Sequence, residues 1–419
     1  MSNPTTRPHI SFFEFVSLLA LCMSLVALSI DTMLPGLSDI GESFDVTRPN
    51  SQQFVISFLF AGLAIGQLFA GPLSDSIGRK KAIYAGLALF IVGSLLSYFS
   101  TSFELMLAGR FIQGFGASAP RVVTIAMVRD RYEGRNMARV MSYIMGIFIL
   151  VPAVAPSIGQ LIINISNWHT IFLFFISIAI INFIWLAMRL QETLHPEDRR
   201  PFTLPSIFSG MKTVCSNRMT MCYTISSGFI FGAFLGYLNS SQQIFQVHYD
   251  VGDMFAIYFG MIALAIGAAF FVNAKLVRKF GMRYLVTASL IVMAALAMAF
   301  SVFEICVSGN VPLFVFVAYI MASAFCMGML FGNMNTLAMI PMGHLAGIAS
   351  AVIGCVSLVV AASVGAGIGQ MYNGSLVPMT TGFVVLSLAS LILMHFAETG
   401  DTDDDVSAIT PDDKTLGAK

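Results

Sequence analysis

Residues 71–83 read Gly-Pro-Leu-Ser-Asp-Ser-Ile-Gly-Arg-Lys-Lys-Ala-Ile, a cluster of charge and turn formers set between two long apolar stretches. Gly71, Pro72 and Gly78 read as turn formers, and Asp75, Arg79, Lys80 and Lys81 as side chains at a water boundary, because charge this dense cannot lie in hydrocarbon. Two bilayer-length segments joined by so short a turn imply a polytopic membrane protein.

The composition agrees. Of the 419 residues 57% are hydrophobic and only 11% charged, and the mean hydropathy of +0.82 is far above that of ordinary soluble domains. The net charge of +0 points to no nucleic-acid partner, because the charges are segregated along the chain and form no single basic face. Cys22, Cys215, Cys222, Cys306, Cys326 and Cys355 are scattered through apolar runs without Cys-x-x-Cys or Cys/His spacing. Neither a disulfide framework nor a metal site is expected. The apolar run from Phe12 is too long for a signal peptide and has no small-residue cleavage site after it, so it reads as the first membrane helix.

A hydrocarbon core of about 30 Å takes about 20 apolar residues per helix. On that basis the sequence divides into spans 12–36, 52–72, 82–100, 103–127, 138–163, 169–189, 218–246, 254–275, 283–306, 311–339, 345–371 and 378–397. The segment from Gln191 to Asn217, rich in Pro and charge, is the only long interior linker. The expected fold is therefore all-α, twelve transmembrane helices in two pseudo-symmetric six-helix bundles. The boundaries are 1–190, a linker 191–217, 218–397, and an acidic, disordered tail 398–419.

Basic residues follow spans 2, 4, 6 and 8, whereas the opposite loops hold little besides Arg48. The positive-inside rule puts the termini and the linker in the cytoplasm. The halves also echo each other: Gly78 aligns with Gly281, Lys80 with Arg283, and Ile158-Gly159-Gln160 with Ile368-Gly369-Gln370. Such repeats imply two bundles that rock about a midplane site.

Several motifs carry a family resemblance. The 71–83 turn resembles the signature loop of the major facilitator superfamily at Gly71, Leu73, Asp75, Gly78, Arg79 and Lys80, although Ser76 stands where that family usually has a basic residue. Arg110-Phe-Ile-Gln-Gly-Phe-Gly-Ala117 in span 4 resembles the Arg-x-x-Gln-Gly-x-Gly-Ala motif of its drug/proton antiporters. The stretch from Ile30 to Leu37, with Pro120-Arg121, Arg129-Asp130, Val151 to Pro156 and Glu192-Thr-Leu, is similar to the subfamily that exports bicyclomycin- and chloramphenicol-type antibiotics. In span 5, alanine and glutamine replace glycines of the antiporter motif. The resemblance implies a proton-driven exporter in a bacterial inner membrane, monomeric, with no cofactor beyond the proton gradient.

Asp31 lies inside an apolar helix, where desolvation favours a neutral form that can load and release a proton; it is the first candidate for proton coupling. The alternative is a carboxyl near the outer boundary that caps the turn toward Pro35. At about 100° per residue, Arg110, Gln113, Gly114, Ala117 and Arg121 share one stripe of span 4, the arginines roughly 16 Å apart along the axis. Arg110 matches Asp31 in depth, counted from the outer ends of their spans, and is read as its switching partner; the alternative is an arginine that bonds backbone carbonyls. Gln113, Arg121, Tyr237 and Asn239 are candidates for the substrate cavity, with Asn239 in the repeat position of Asp31.

Asp75 is read as a latch on a helix N-terminus, which the resemblance suggests is that of span 11, and Asp130 as a partner for Arg79. Pro152, Pro156 and Gly159 are read as gating and packing elements of span 5, and Glu14 and Glu304 as interfacial. With 37 Phe and 26 Met to form adaptable walls, the expected partners besides protons and the bilayer are lipophilic or amphiphilic drug-like molecules. Export of a dedicated natural product such as a siderophore, import of a metabolite, and a non-transporting receptor or assembly subunit stay open. No nucleotide loop, metal cluster or nucleophile arrangement marks an enzyme.

Overall fold

The computed structural model describes residues 10–398 apart from 49 and 200. The acidic tail lies outside the described residues. Among the described residues twelve helices are long and apolar enough to cross a membrane. We number them α1 (Phe12–Asp31), α2 (Phe54–Ile77), α3 (Arg79–Tyr98), α4 (Phe103–Arg131), α5 (Gly134–Ile165), α6 (Trp168–Arg189), α7 (Arg218–Gln242), α8 (Phe255–Phe280), α9 (Met282–Cys306), α10 (Leu313–Met339), α11 (Ala346–Gln370) and α12 (Val377–Glu398). Among the described residues there is no strand. The protein is a multi-pass membrane protein, with large apolar side chains such as Phe13, Ile165, Phe271 and Phe314 on its outer surface, where lipid tails rather than water suit them.

Helix ends follow local chemistry. Ser102 caps α4 by accepting from Leu105 N, Asn167 caps α6 by accepting from Thr170 N, and Asn217 caps α7 by accepting from Thr220 N, each satisfying an orphan amide. Gly78 joins α2 to α3 at φ 102°, and Gly281 joins α8 to α9 at φ 79°. These equivalent positions both use backbone that L side chains avoid.

Two boundaries differ from the sequence reading. Gly71 and Pro72 are not turn formers: α2 runs on to Ile77, so both lie inside it and Gly78 alone reverses the chain. The first span is not one helix either. It breaks after Asp31 and resumes as a short helical turn Leu34–Gly36 and a helix Leu37–Ser43, because Pro35 has no N–H to continue the ladder. The linker holds a helix of its own, Leu204–Ser216, with Pro205 in its first turn.

Packing repeats between the halves. Helix α1 packs on α5 and α4 as α7 packs on α11 and α10, and α4 packs on α2 and α3 as α10 packs on α8 and α9. The halves then meet reciprocally, α2 against α11 and α8 against α5. That exchange places α1 and α7, which carry Asp31 and Asn239, beside the interface.

Candidate functional site

Asp31 is the last residue of α1 and is 6% exposed. The break beyond it changes which carbonyls are satisfied. Thr32 N donates to Leu28 O and Met33 N to Ile30 O, so the bond that Met33 N would make to Ser29 O in a continuing helix is absent. Arg110 fills that gap, donating from Nη2 to Ser29 O at 2.8 Å, from Nε to Val55 O at 3.1 Å and from Nη1 to Gln113 Oε1 at 2.6 Å. The guanidinium is fully buried and lies 6.0 Å from the centre of the Phe172 ring.

Two sequence expectations are corrected here. Arg110 does not pair with Asp31: the ion pairs among the described residues are Arg79 with Asp75, Arg79 with Asp130, and Arg189 with Glu14. Its donors are taken by carbonyls of α1 and α2 and by Gln113, an arrangement that suits the planar fork. Gln113 does not line a cavity. It is fully buried between Arg110 and Ser94, donating to Ser94 Oγ at 2.8 Å, and so orients the arginine. The depth count for Asp31 also changes, since the first membrane-crossing segment extends to Ser43, well beyond the outer end at residue 36 read from the sequence. Arg121, on the basic half of α4, is half-buried and has no ion pair among the described residues.

Across the interface, the Tyr237 hydroxyl on α7 lies within Coulombic reach of Asp31. Tyr237 is fully buried, its ring stacks on Phe259 with centroids 6.4 Å apart, and its hydroxyl has no hydrogen-bond partner among the described residues. Asn239 donates to Gly365 O at 3.2 Å while its Oδ1 is unpartnered. Thr32 Oγ1, Gln53 Oε1 and Gln242 Oε1 are likewise buried and unpaired. Buried polar atoms without partners are costly, and others lie elsewhere in both halves, as at Thr124, Asn182, Tyr319 and Ser323.

Small residues set this spacing. A side chain at Gly159 of α5 would strike the Thr32 carbonyl at the α1 break, and one at Gly369 of α11 would strike Gln53 Oε1 and Asn239 Cβ. The repeated Ile-Gly-Gln thus serves the same close approach in each half. Pro152 and Pro156 lie inside a continuous α5, which reaches the other half where Gly260 of α8 leaves room for the Ala153 carbonyl.

At the basic end, Arg79 Nε donates to Asp130 Oδ2 at 2.8 Å and Nη1 to Ser74 Oγ at 2.7 Å, with Asp75 as a further acceptor. Asp75 is not seated on the N-terminus of α11: its side chain is 39% exposed and its ion-pair partner is Arg79. The carboxylate at a helix N-terminus is Glu192, which the sequence reading placed in the linker and in the Glu192-Thr-Leu resemblance without giving it this contact. It accepts from Arg79 N at 2.9 Å and Lys80 N at 3.2 Å, while Thr193 Oγ1 donates to Asp130 at 3.2 Å. Glu304, in the last turn of α9, is buried within the protein and accepts from Leu376 N at 3.1 Å ahead of α12. Glu14 holds Arg189 and Trp185, tying α1 to α6.

The Major Facilitator Superfamily profile matches residues 19–366. An uncharacterized MFS-type transporter of Bacillus subtilis (strain 168), YdgK, is 32% identical over 361 residues, covering 85% of this chain and 88% of its own. A protein of Haemophilus influenzae named as a bicyclomycin resistance protein homolog is 28% identical over 390 residues, covering 92% and 96%. Among solved structures, the human organic anion transporter MFSD10 superposes with a TM-score of 0.69 at 15% identity, covering 94% of this chain and 100% of that one, a likeness of fold alone. The chain belongs to the major facilitator superfamily, a family of transporters.

Proposed function

We propose that the protein exports lipophilic or amphiphilic small molecules, antibiotics among them, in exchange for protons by alternating access. It does so in a bacterial cytoplasmic membrane with both termini inside. The observation that carries this reading is Asp31: a carboxyl buried at a helix break beside the interface, with no cation paired to it among the described residues and the Tyr237 hydroxyl nearby. An uncompensated acid at that depth is stable when neutral, and hydration as the halves part lets it ionise. Proton release and bundle movement are then one event.

Arg110 holds the break open from behind and supplies no counter-charge. In this reading Arg121 and the uncharged groups of α7 become accessible to substrate as the halves part, and Phe and Met supply walls that adapt to varied apolar ligands. Among the described residues the hydrogen bonds between the halves fall at the end opposite the basic loops, as for Gln53 Nε2 to Gln243 Oε1 at 2.7 Å, so with the positive-inside topology the crevice faces the cytoplasm. The name of the bicyclomycin-resistance relative supports the substrate class.

Drug-susceptibility profiling of cells that make or lack the protein tests the reading. Raised tolerance to several unrelated lipophilic compounds, abolished by a protonophore, is the expected result. An unchanged profile beside secretion of a single natural product would instead indicate a dedicated exporter.

A further inference from the structure

Among the described residues the halves are pinned together opposite the basic loops by uncharged side chains, and one residue makes most of the bonds. Asn50 Nδ2 donates to Tyr372 O at 2.7 Å and Gln370 O at 3.2 Å. Its Oδ1 accepts from Gln243 Nε2 at 2.9 Å, and its own carbonyl accepts from Gln370 Nε2 at 2.9 Å. Every one of these partners belongs to the C-terminal half. The residue is 5% exposed and stands in the left-handed region at φ 66°, ψ 0°, which asparagine tolerates better than other side chains. In that conformation backbone and side chain both face Gln370, forming a reciprocal pair. The segment they grip is held from its other side, since His248 bonds Gly374 O at 2.9 Å and Glu304 accepts from Leu376 N at 3.1 Å.

We propose that Asn50 is the positioning residue of the outer gate, keeping the extracellular exit shut while substrate and proton exchange on the cytoplasmic side; this rests on the alternating-access reading above. Amide bonds suit a gate that must open repeatedly. Each contributes only modestly, because water replaces it on opening, so the set holds firmly only while all its members are made.

Hydrogen exchange on the full-length protein in lipid nanodiscs tests this, comparing wild type with Asn50→Asp and Asn50→Gly. The aspartate turns the side-chain donor into an acceptor facing two carbonyls, while glycine keeps the left-handed backbone and the carbonyl bond. In Asn50→Asp, exchange in 370–377 is expected to rise about tenfold, and in Asn50→Gly by a smaller factor, with protection in 54–77 unchanged. If 54–77 also loses protection in the aspartate variant, the glycine variant decides alone. Wild-type exchange in 370–377, or a rise confined to 44–53, would overturn the proposal, since a merely local role leaves the C-terminal partner undisturbed. Faster exchange in 370–377 with no transport detectable even in wild type would leave the gate standing and remove the efflux reading instead.

Discussion

Arg110 donates to the carbonyl of Ser29, two residues before Asp31, and not to the Asp31 carboxylate. The arginine therefore acts on the acid through the backbone. By satisfying the carbonyl that the break in α1 leaves free, it fixes where the helix ends and so how deep Asp31 lies. A guanidinium does this with three separate donors reaching α1, α2 and Gln113.

Arg110→Lys keeps the charge but cannot span those acceptors. Each buried acceptor left bare costs about 1–3 kcal/mol, so a lowered melting temperature and loss of transport are expected together. Wild-type stability and transport in the lysine variant would show that the charge alone suffices.

Gly78→Ala places a side chain at φ 102° and against the Glu192 carboxylate, so a loss of about 1–3 kcal/mol is expected, the cost of a strained backbone position. Glu192→Gln retains the shape and removes the charge from the α3 N-terminus. It should cost less, about 0.3–1 kcal/mol. Thermal unfolding in detergent measures both, and equal losses would argue against the steric account of Gly78.

Much of the fold was legible in the sequence, for a physical reason. A bilayer demands a run of apolar residues of set length and rejects clustered charge, so spans and loops announce themselves, as at Arg79 to Lys81. The break after Asp31 was hidden because Thr32, Met33 and Leu34 fit a lipid-buried helix and only Pro35 objects. Gly71 and Pro72 misled by type: in a soluble chain they signal a turn, whereas the last turns of a membrane helix tolerate them. The site was less legible than the fold. Asp31, Arg110 and Tyr237 stand out as polar residues among apolar ones, but their partners depend on contacts between distant helices. The contacts of Glu192, and Asn50 altogether, were missed because each acts on chain more than a hundred residues away, and an amide or carboxylate in a loop looks like ordinary surface.

Gly159→Val would drive a side chain into the Thr32 carbonyl. Separation of α5 from α1 is expected, with transport lost while the protein still inserts in the membrane. Cross-linking of cysteines placed on α1 and α5 reads that separation, and unaltered cross-linking would show that the contact yields without moving the helices.

Tyr237→Phe removes a hydroxyl that bonds nothing among the described residues. Stability should hold or rise, because the change removes a buried polar atom without a partner, whereas proton-coupled exchange should fall about tenfold, the loss of one hydrogen bond formed to Asp31 during the cycle. Undiminished exchange would exclude the hydroxyl from the proton route.

The most direct measurement is drug-driven proton movement in proteoliposomes containing wild type or Asp31→Asn, with drug binding followed on the same samples. Asparagine keeps the size and polarity of the neutral acid but cannot ionise. The expected result is drug binding retained and proton movement abolished. Proton movement at the wild-type rate in the asparagine variant would contradict the assignment of coupling to Asp31.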